Sequence, residues 1–146
     1  MTILIVDDVG FNRELVKKSL NTAGYKAIDA ESAEEALRCL ATRPDISVVL
    51  CDLMMPEMDG VDLLQRYQEL TVPTGPVPPE FILLSSSLDE RRLREALQTG
   101  FSTVIKKPIE NETLIQTVAT CERQWNSCQS DNSPTARTTG HPRYGS

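Results

Sequence analysis

Five short apolar runs alternate with five amphipathic stretches along this chain, and that alternation constrains the fold more than any other feature. Each run is too short for a helix and is rich in Val, Ile, Leu or aromatic residues, which is typical of a strand buried on both faces. The predicted strands are 3–6, 25–30, 46–51, 81–84 and 101–105. Strands that alternate with helices predict a parallel sheet with helices on both faces and right-handed crossovers.

The stretches between the runs carry the expected signals for helix starts and ends. Gly24 and Gly100 stand where two helices should end. Ser32 followed by Glu35 predicts a capping box, and Asp59 is the predicted cap of a helix over 61–70. A further helix is predicted over 88–99. The last predicted helix has its apolar stripe at spacings of four, three and four: Leu114, Val118, Cys121 and Trp125.

Composition narrows the class of protein. The chain has 146 residues, of which 40% are hydrophobic and 25% charged, as expected for one soluble globular domain. The net charge is −6, and the basic residues are scattered apart from Arg91, Arg92 and Arg94, so we expect no direct contact with nucleic acid. We interpret these three arginines as solvated charge. No apolar run is long enough to cross a membrane, and the features of a signal peptide are missing.

The four cysteines show no paired ligand spacing, and we expect a reducing, cytoplasmic environment. Residues 71–79 contain four prolines, which predict a stiff, exposed loop. Residues 126–146 are rich in Ser, Thr, Asn, Pro and Gly, which predicts a disordered tail after an ordered domain at 1–125. His141, the only histidine, falls in that tail, and we assign it no catalytic role.

Polar residues follow four of the five predicted strands. Asp7 and Asp8 follow the first, Asp52 the third, Ser85 the fourth and Lys107 the fifth. Because parallel strands all end at the same edge of the sheet, these side chains are predicted to meet there, where ligands bind in open α/β sheets. Core packing does not require such a convergence, so it indicates a functional site.

The chemistry of that cluster favours phosphoryl transfer. Three carboxylates held together repel one another, and a cation relieves the repulsion. Carboxylates with no His or Cys ligand partner suit a hard ion, for which Mg²⁺ is the best candidate. Asp52 is then a candidate nucleophile that becomes an aspartyl phosphate. Lys107 would neutralise phosphoryl oxygens, and Ser85 would donate a hydrogen bond to them.

Each of these residues also has a purely structural interpretation. Asp7 or Asp8 is a reasonable cap for the first helix, and for either residue alone that interpretation is favoured. Lysines such as Lys107 are usually solvated, and serines such as Ser85 are common in turns. The peptide bond before Pro108 is a plausible cis bond.

In this order and spacing the residues resemble the receiver domain of two-component response regulators. The resemblance covers about residues 2–125. Its anchors are Asp7-Asp8, Asp52, Met55-Pro56, Met58-Asp59-Gly60, Ser85 and Lys107-Pro108. The family implies a flavodoxin-like (βα)5 doubly wound parallel sheet with strand order 2-1-3-4-5.

The resemblance also implies roles for individual residues. Asp52 would be the phosphoacceptor, taking its phosphoryl group from a histidine on a sensor kinase or phosphotransfer protein. Asp7 and Asp8 would hold Mg²⁺ together with the Met54 backbone carbonyl. Ser85 stands at the family's hydroxyl position, and Lys107 at that of its phosphate-binding lysine.

Two departures from the family pattern bear on signalling. Receivers often carry an aromatic switch residue in the fifth strand, and Val104 stands at that position. The proline-rich stretch before Phe81 is longer than usual, and we interpret it as a lengthened connection. Met54 and Ser87 stand where the family tunes the lifetime of the phosphoryl group.

We therefore expect a phosphorylation-activated switch acting on a separate effector protein, not a turnover enzyme. A degenerate receiver that binds partners without phosphorylation is the first alternative. A hydrolase of the haloacid-dehalogenase kind is another, but it needs an acid two residues after its nucleophile, where this chain has Val9 or Met54. A flavodoxin would need a phosphate loop where Asp7 and Asp8 stand.

Overall fold

The computed structural model describes residues 1–70, 78–86 and 89–130. Strands and helices alternate in these ranges as predicted. Their bounds are β1 (Thr2–Val6), α1 (Gly10–Thr22), β2 (Lys26–Ala30), α2 (Ala33–Thr42), β3 (Ile46–Asp52), α3 (Gly60–Glu69), β4 (Glu80–Ser85), α4 (Glu90–Thr99), β5 (Thr103–Lys106) and α5 (Asn111–Ser130). Most of the predicted proline-rich loop, together with Ser87 and His141, lies outside the described residues.

The five strands form one parallel sheet in the order β2-β1-β3-β4-β5. The predicted flavodoxin-like (βα)5 fold is thereby confirmed. The chain order reverses between β1 and β3, where Val6 pairs with Cys51. Asp7 and Asp52 are the residues that come next after this pair, so they lie side by side at the carboxyl ends of neighbouring strands. Open α/β sheets bind ligands at this position.

The strands are buried on both faces because their apolar side chains alternate between two cores. Leu4 and Val6 face the core that packs against α2, α3 and α4, while Ile3 and Ile5 face the core that packs against α1 and α5. Burying one such side chain contributes about 1.5–3 kcal/mol. These two cores hold the strand ends in register, and so fix the polar residues that follow.

Several element ends differ by one or two residues from the sequence predictions. Phe101 is buried but precedes β5, because its N–H bonds to the Ala96 carbonyl in the turn that ends α4. Helix α4 begins after Asp89, whose carboxylate accepts from the Arg91 and Arg92 N–H groups and caps it. β3 and β4 each extend by one polar residue, to Asp52 and Ser85.

Helix α5 continues past Trp125 to Ser130, which corrects the predicted start of the tail. Residues 126–130 are polar, and composition alone gives no reason for them to be helical. Adding residues to a formed helix is favourable once its costly first turn exists, so packing of the earlier turns at Leu114 and Val118 supports the extension.

Gly60 lets the start of α3 approach the end of β3. Its N–H bonds to the Leu53 carbonyl at 3.0 Å. A Cβ at this position would lie 2.9 Å from the Asp52 carbonyl oxygen, 3.1 Å from Leu83 Cδ1 and 3.3 Å from Cys51 Sγ. The first of these distances is shorter than real Cβ contacts, and the atom it meets is backbone, which cannot move aside independently.

We predict that Gly60→Ala lowers the free energy of unfolding by about 1–3 kcal/mol, because the added methyl overpacks this junction. Gly10→Ala is the matched control, since its Cβ would meet only Arg13 Nη2 at 3.6 Å. Urea unfolding of the two variants measures the difference. Equal stability of both variants would contradict the role assigned to Gly60.

Candidate functional site

The structure brings the predicted polar residues together at the carboxyl edge of the sheet. Lys107 Nζ lies 3.2 Å from Asp52 Oδ1 and 3.4 Å from Asp7 Oδ2. Carboxylate oxygens of Asp7, Asp8 and Asp52 all lie within 4.8 Å of one another. Ser85 is the last residue of β4, next to β3 in the sheet. The convergence predicted from the strand ends is therefore present.

Burial divides the cluster into a floor and an opening. Asp7 is 2% exposed, Asp52 7% and Ser85 1%, whereas Asp8 is exposed. The Lys107 side chain is between these limits, at 22%. A ligand would therefore enter from the side of Asp8 and reach Asp52 at the floor.

The Asp52 carboxyl is placed in an environment that disfavours its charge. Burial raises the pKa of Asp52, and the nearby Asp7 carboxylate raises it further. Opposing these effects, Lys107 and a backbone hydrogen bond from Met54 lower the Asp52 pKa without cancelling the rise. The site thus stores unfavourable electrostatic energy that a bound cation would relieve.

Lys107 is held in place by its backbone. Its N–H donates to the Ser85 carbonyl at 2.9 Å, just beyond the last pairing of β4 with β5. The Lys107–Pro108 peptide bond is cis, as the sequence analysis considered plausible. Lys106, by contrast, is exposed. Of the two adjacent lysines, Lys107 therefore belongs to the site and Lys106 to the surface.

The acidic pair does not serve as a side-chain cap for α1. The N-cap residue is Val9, and no side chain caps the helix there. Asp7 Oδ1 instead accepts a hydrogen bond from the Val9 N–H at 2.9 Å, while its second oxygen faces Lys107. The helix-cap interpretation of Asp7 and Asp8 is therefore wrong, and the interpretation of Lys107 as solvated charge is wrong as well.

Met54 and Val104 are placed at the margins of the site. Met54 follows the end of β3 with its side chain 66% exposed, and its N–H is the group that bonds to Asp52. Val104 lies in β5, half-buried, and packs against the core beneath α2, α3 and α4. The predicted location of Val104 in the fifth strand is confirmed.

Sequence reasoning missed Arg13 altogether. Its Nη1 donates to the Asp7 carbonyl oxygen at 2.8 Å, and its Nε donates to Asp29 Oδ2 at 3.0 Å. Lys17 Nζ lies 3.3 Å from the other Asp29 oxygen. The available signal was an arginine near the start of α1, which packs over β2, where Asp29 lies near the end of the strand.

The interpretation of the three arginines of α4 as solvated charge is wrong for one of them. Arg92 is half-buried and forms ion pairs with Asp59 and Glu95. Asp59 also caps α3 through a capping box with Asp62, so this pair joins α4 to the loop that follows β3. Arg91 and Arg94 are exposed, as predicted for solvated charge.

Exposed apolar side chains lie on the two segments that follow β1 and β3. Phe11 in the first turn of α1 is 70% exposed, and Val9 before it is 45% exposed. Met54 is exposed on the β3 side. Such grouped apolar exposure is typical of a surface that contacts another protein. Among the residues described here, none of the helices combines the length and apolar character needed to cross a membrane.

Comparison with known proteins identifies the family. The model of the response regulator receiver domain matches residues 3–119. The sensor histidine kinase RcsC of Salmonella typhimurium is 35% identical over 119 residues, which are 82% of this chain and 12% of that protein. The two-component response regulator ORR3 of Oryza sativa subsp. indica is 30% identical over 107 residues, 73% of this chain and 79% of that protein.

A solved structure agrees with these matches. The receiver domain of the Francisella response regulator 1452 superposes with a TM-score of 0.71 at 26% identity, covering 84% of this chain and 97% of that one. This chain therefore belongs to the response regulator receiver domain family and is a receiver domain of phosphorelay signalling. Because the chain belongs to this family, the hydrolase and flavodoxin alternatives no longer apply.

The raised pKa of Asp52 predicts a pH-dependent stability difference. Asp52→Asn removes a carboxyl whose ionisation is unfavourable only in the folded state. Below about pH 4, near the unfolded pKa of Asp, both proteins carry a neutral group and should be similarly stable. As the pH rises through the folded pKa, wild type loses stability relative to Asp52→Asn, and the gap then levels off.

Urea unfolding in EDTA from pH 2 to 8 measures this gap. Asp45→Asn is the control in the opposite direction, because Arg43 and Thr2 hold the pKa of Asp45 down at about 2. Asp45→Asn should therefore be the less stable protein at neutral pH, with its deficit shrinking as the pH falls towards 2. A pH-independent gap for Asp52→Asn would contradict the assigned electrostatics.

Proposed function

We propose that this receiver domain is a switch in which Asp52 accepts a phosphoryl group in a reaction that requires Mg²⁺. The observation that carries the proposal is the geometry around Asp52. A buried carboxylate lies 3.2 Å from the Lys107 ammonium and within 4.8 Å of two further carboxylates, at the carboxyl edge of the sheet. Holding these carboxylates together lowers the stability of the folded state, and phosphoryl transfer is a function that needs them together.

The donor set fits Mg²⁺. The cluster of Asp7, Asp8 and Asp52 offers carboxylate oxygens alone, and hard cations prefer oxygen ligands. Asp8 is exposed, which leaves room for the waters that Mg²⁺ retains and for phosphate oxygens. The Met54 carbonyl is the fourth proposed protein ligand, since Met54 lies two residues after Asp52, the end of β3, and its N–H already contacts the Asp52 carboxylate.

The proposed step forms an acyl phosphate. An Asp52 carboxylate oxygen attacks phosphorus, the bond from phosphorus to the donor atom breaks, and its electron pair leaves with the donor. Lys107 balances the charge on the phosphoryl oxygens, and the Ser85 hydroxyl donates a hydrogen bond to one of them. Asp7, Asp8 and Asp52 would hold Mg²⁺, and the ion would supply positive charge that offsets the repulsion among the carboxylates and the charge on the phosphoryl oxygens.

The proposed consequence is a shift between two conformations. A phosphoryl group on Asp52 would add negative charge beside Ser85 at the end of β4, and it would bias a two-state equilibrium in the face near Ser85 and Val104. Val104 packs into the core in β5, and a valine side chain is too small to move between buried and exposed positions as a ring does. We infer that the signal reaches a separate effector protein through the face near Ser85 and not through a switch side chain at position 104.

The proposed phosphodonor is a sensor histidine kinase or a phosphotransfer protein. RcsC is named a sensor histidine kinase, and the chain spans only 12% of its length. Phe11, Val9 and Met54 offer an apolar surface beside the site for such a partner. Cys39, Cys51 and Cys121 are all unpaired, which supports a reducing, cytoplasmic location.

A second candidate is a receiver that binds its partner without phosphorylation. The observation that favours it is Val104, because the side chain expected to report phosphorylation is missing. The complete set of Asp7, Asp8, Asp52, Ser85 and Lys107 favours the phosphorylated switch instead. Labelling of Asp52 separates the two functions.

The decisive experiment is the intact mass of the protein after incubation with acetyl phosphate, with and without Mg²⁺. We predict one phosphoryl adduct that needs Mg²⁺, is absent from Asp52→Asn and persists in Asp45→Asn, a carboxylate remote from the site. Beryllofluoride binding is measured in parallel, because a fast-hydrolysing adduct would escape detection. Failure of both adduct formation and beryllofluoride binding would establish the phosphorylation-independent module in its place.

Mg²⁺ should also stabilise the fold. At a free concentration tenfold above its dissociation constant, a ligand specific to the folded state adds about 1.4 kcal/mol to the free energy of unfolding. We predict this increment in wild type and in Asp45→Asn, and its loss in Asp7→Asn, which removes a buried ligand. Thermal unfolding across a MgCl₂ titration at constant ionic strength measures it. An undiminished increment in Asp7→Asn would contradict the ligand assignment.

A further inference from the structure

We infer that Arg13 is a positioning residue that fixes the Asp7–Asp8 peptide and thereby sets the affinity of the site for Mg²⁺. The inference rests on the proposed function, because it concerns the same acidic cluster. The contact that supports it is not one that supports the proposed function. Arg13 touches neither carboxylate of the pair but donates from Nη1 to the Asp7 main-chain carbonyl at 2.8 Å. Its side chain is 16% exposed, so the contact is largely shielded from water.

Three further contacts constrain Asp7. Its N–H donates to the Ala30 carbonyl at 3.3 Å, which continues the pairing of β1 with β2. One carboxylate oxygen accepts from the Val9 N–H at 2.9 Å, and the other lies 3.4 Å from Lys107 Nζ. The contact from Arg13 is the one that acts on the carbonyl, and so on the plane of the peptide that leads into Asp8.

That peptide matters because Asp8 is exposed while Asp7 is buried. Packing against neighbours cannot hold an exposed side chain in one place, so the direction of the Asp8 carboxylate depends on the backbone that carries it. A metal site needs its ligands preorganised, and the groups that orient ligands contribute strongly to affinity. Arg13 is placed to supply this constraint at the junction of the two acids.

The Arg13 guanidinium contacts two acceptors, the Asp7 carbonyl and the Asp29 carboxylate. Its Nε donates to Asp29 Oδ2 at 3.0 Å, and Asp29 pairs with Ile5 of β1 across the sheet. The planar guanidinium can direct two donors to two fixed acceptors, which a single ammonium cannot do in the same geometry. Arg13 therefore links the rigid end of β2 to the peptide that leads into Asp8.

If Arg13 acted only through its charge, its removal would change the Mg²⁺ affinity in the opposite direction from the one we infer. A guanidinium near a cation site repels the incoming ion, so its loss should strengthen Mg²⁺ binding if only charge matters. If Arg13 positions the pair, its loss should weaken binding. The sign of the change therefore distinguishes the two roles. Lys17 is the matched control, because it lies 3.3 Å from the same Asp29 but bonds to the far oxygen of that carboxylate.

The test measures the Mg²⁺ dissociation constant by isothermal titration calorimetry on the full chain. We expect Arg13→Met to raise it about tenfold or more, as removal of a group that orients a ligand does. Lys17→Met should change it by about twofold or less, since exposed ion pairs contribute little. At saturating Mg²⁺ the rate of acetyl phosphate labelling of Arg13→Met should return close to wild type, which general destabilisation would not produce.

A second variant covers the case in which Arg13→Met does not fold. Arg13→Lys keeps the positive charge and loses the two-point contact, and we expect the same direction of change. Amide exchange at Val9, measured by NMR without metal, should accelerate in both Arg13 variants and not in Lys17→Met, because the Asp7 turn that protects it loosens.

The outcomes are distinguishable. Wild-type or tighter Mg²⁺ binding by either folded Arg13 variant overturns the inference and leaves the proposed function standing. Equal weakening in Lys17→Met also overturns it, because the effect would then come from the shared partner Asp29 and not from the contact of Arg13 with the Asp7 carbonyl. Absence of Mg²⁺ binding by wild type overturns the proposed function and this inference with it.

Discussion

The parallel pairing of β1 with β3 is the constraint on which the site depends. Apolar side chains on both faces of these strands bury them in two cores, and the register sets Val6 beside Cys51. The next residue on each strand is an aspartate. Neither carboxylate is free to move apart from the other, because each is carried by a backbone that the sheet has already fixed.

That arrangement runs against the electrostatics of the folded state. The pKa of Asp52 is raised by burial and by Asp7, and Lys107 offsets part of the effect from a position shared between the two. A chain selected for stability alone would replace one of these acids by a neutral residue. The three carboxylates persist in one cluster, which is physically reasonable when the folded state is completed by a cation and a phosphoryl group.

Much of the fold and of the candidate site could be predicted from the sequence, because the ends of strands can be located from local sequence patterns. Short apolar runs locate the strands, parallel topology brings their carboxyl ends to one edge, and Asp52 and Lys107 follow directly. Arg13 and Arg92 were not predictable in the same way. Each lies on a helix, and its partners, Asp29 and Asp59, are set by how the helix packs on the sheet, which periodicity does not encode. Helix ends were missed for a related reason: Ser130 is helical through propagation and not through its own preference.

Asp7 and Lys107 are held by more contacts than the ion pair that joins α4 to the loop after β3. Asp7 is held through its N–H, its carbonyl and both carboxylate oxygens, and Lys107 is tied by its N–H to the Ser85 carbonyl. These contacts come from the sheet, from α1, from the β1–α1 connection and from the residue that follows β5, so the positions of Asp7 and Lys107 are fixed. Helix α4 is tied differently: Arg92 joins it to Asp59 by an ion pair that is partly open to solvent. Such pairs are worth little individually and are readily exchanged. The proposed phosphoryl acceptor is therefore held by several backbone and side-chain contacts, whereas the Arg92–Asp59 contact of α4 is individually weak, and the proposed switch would use this difference.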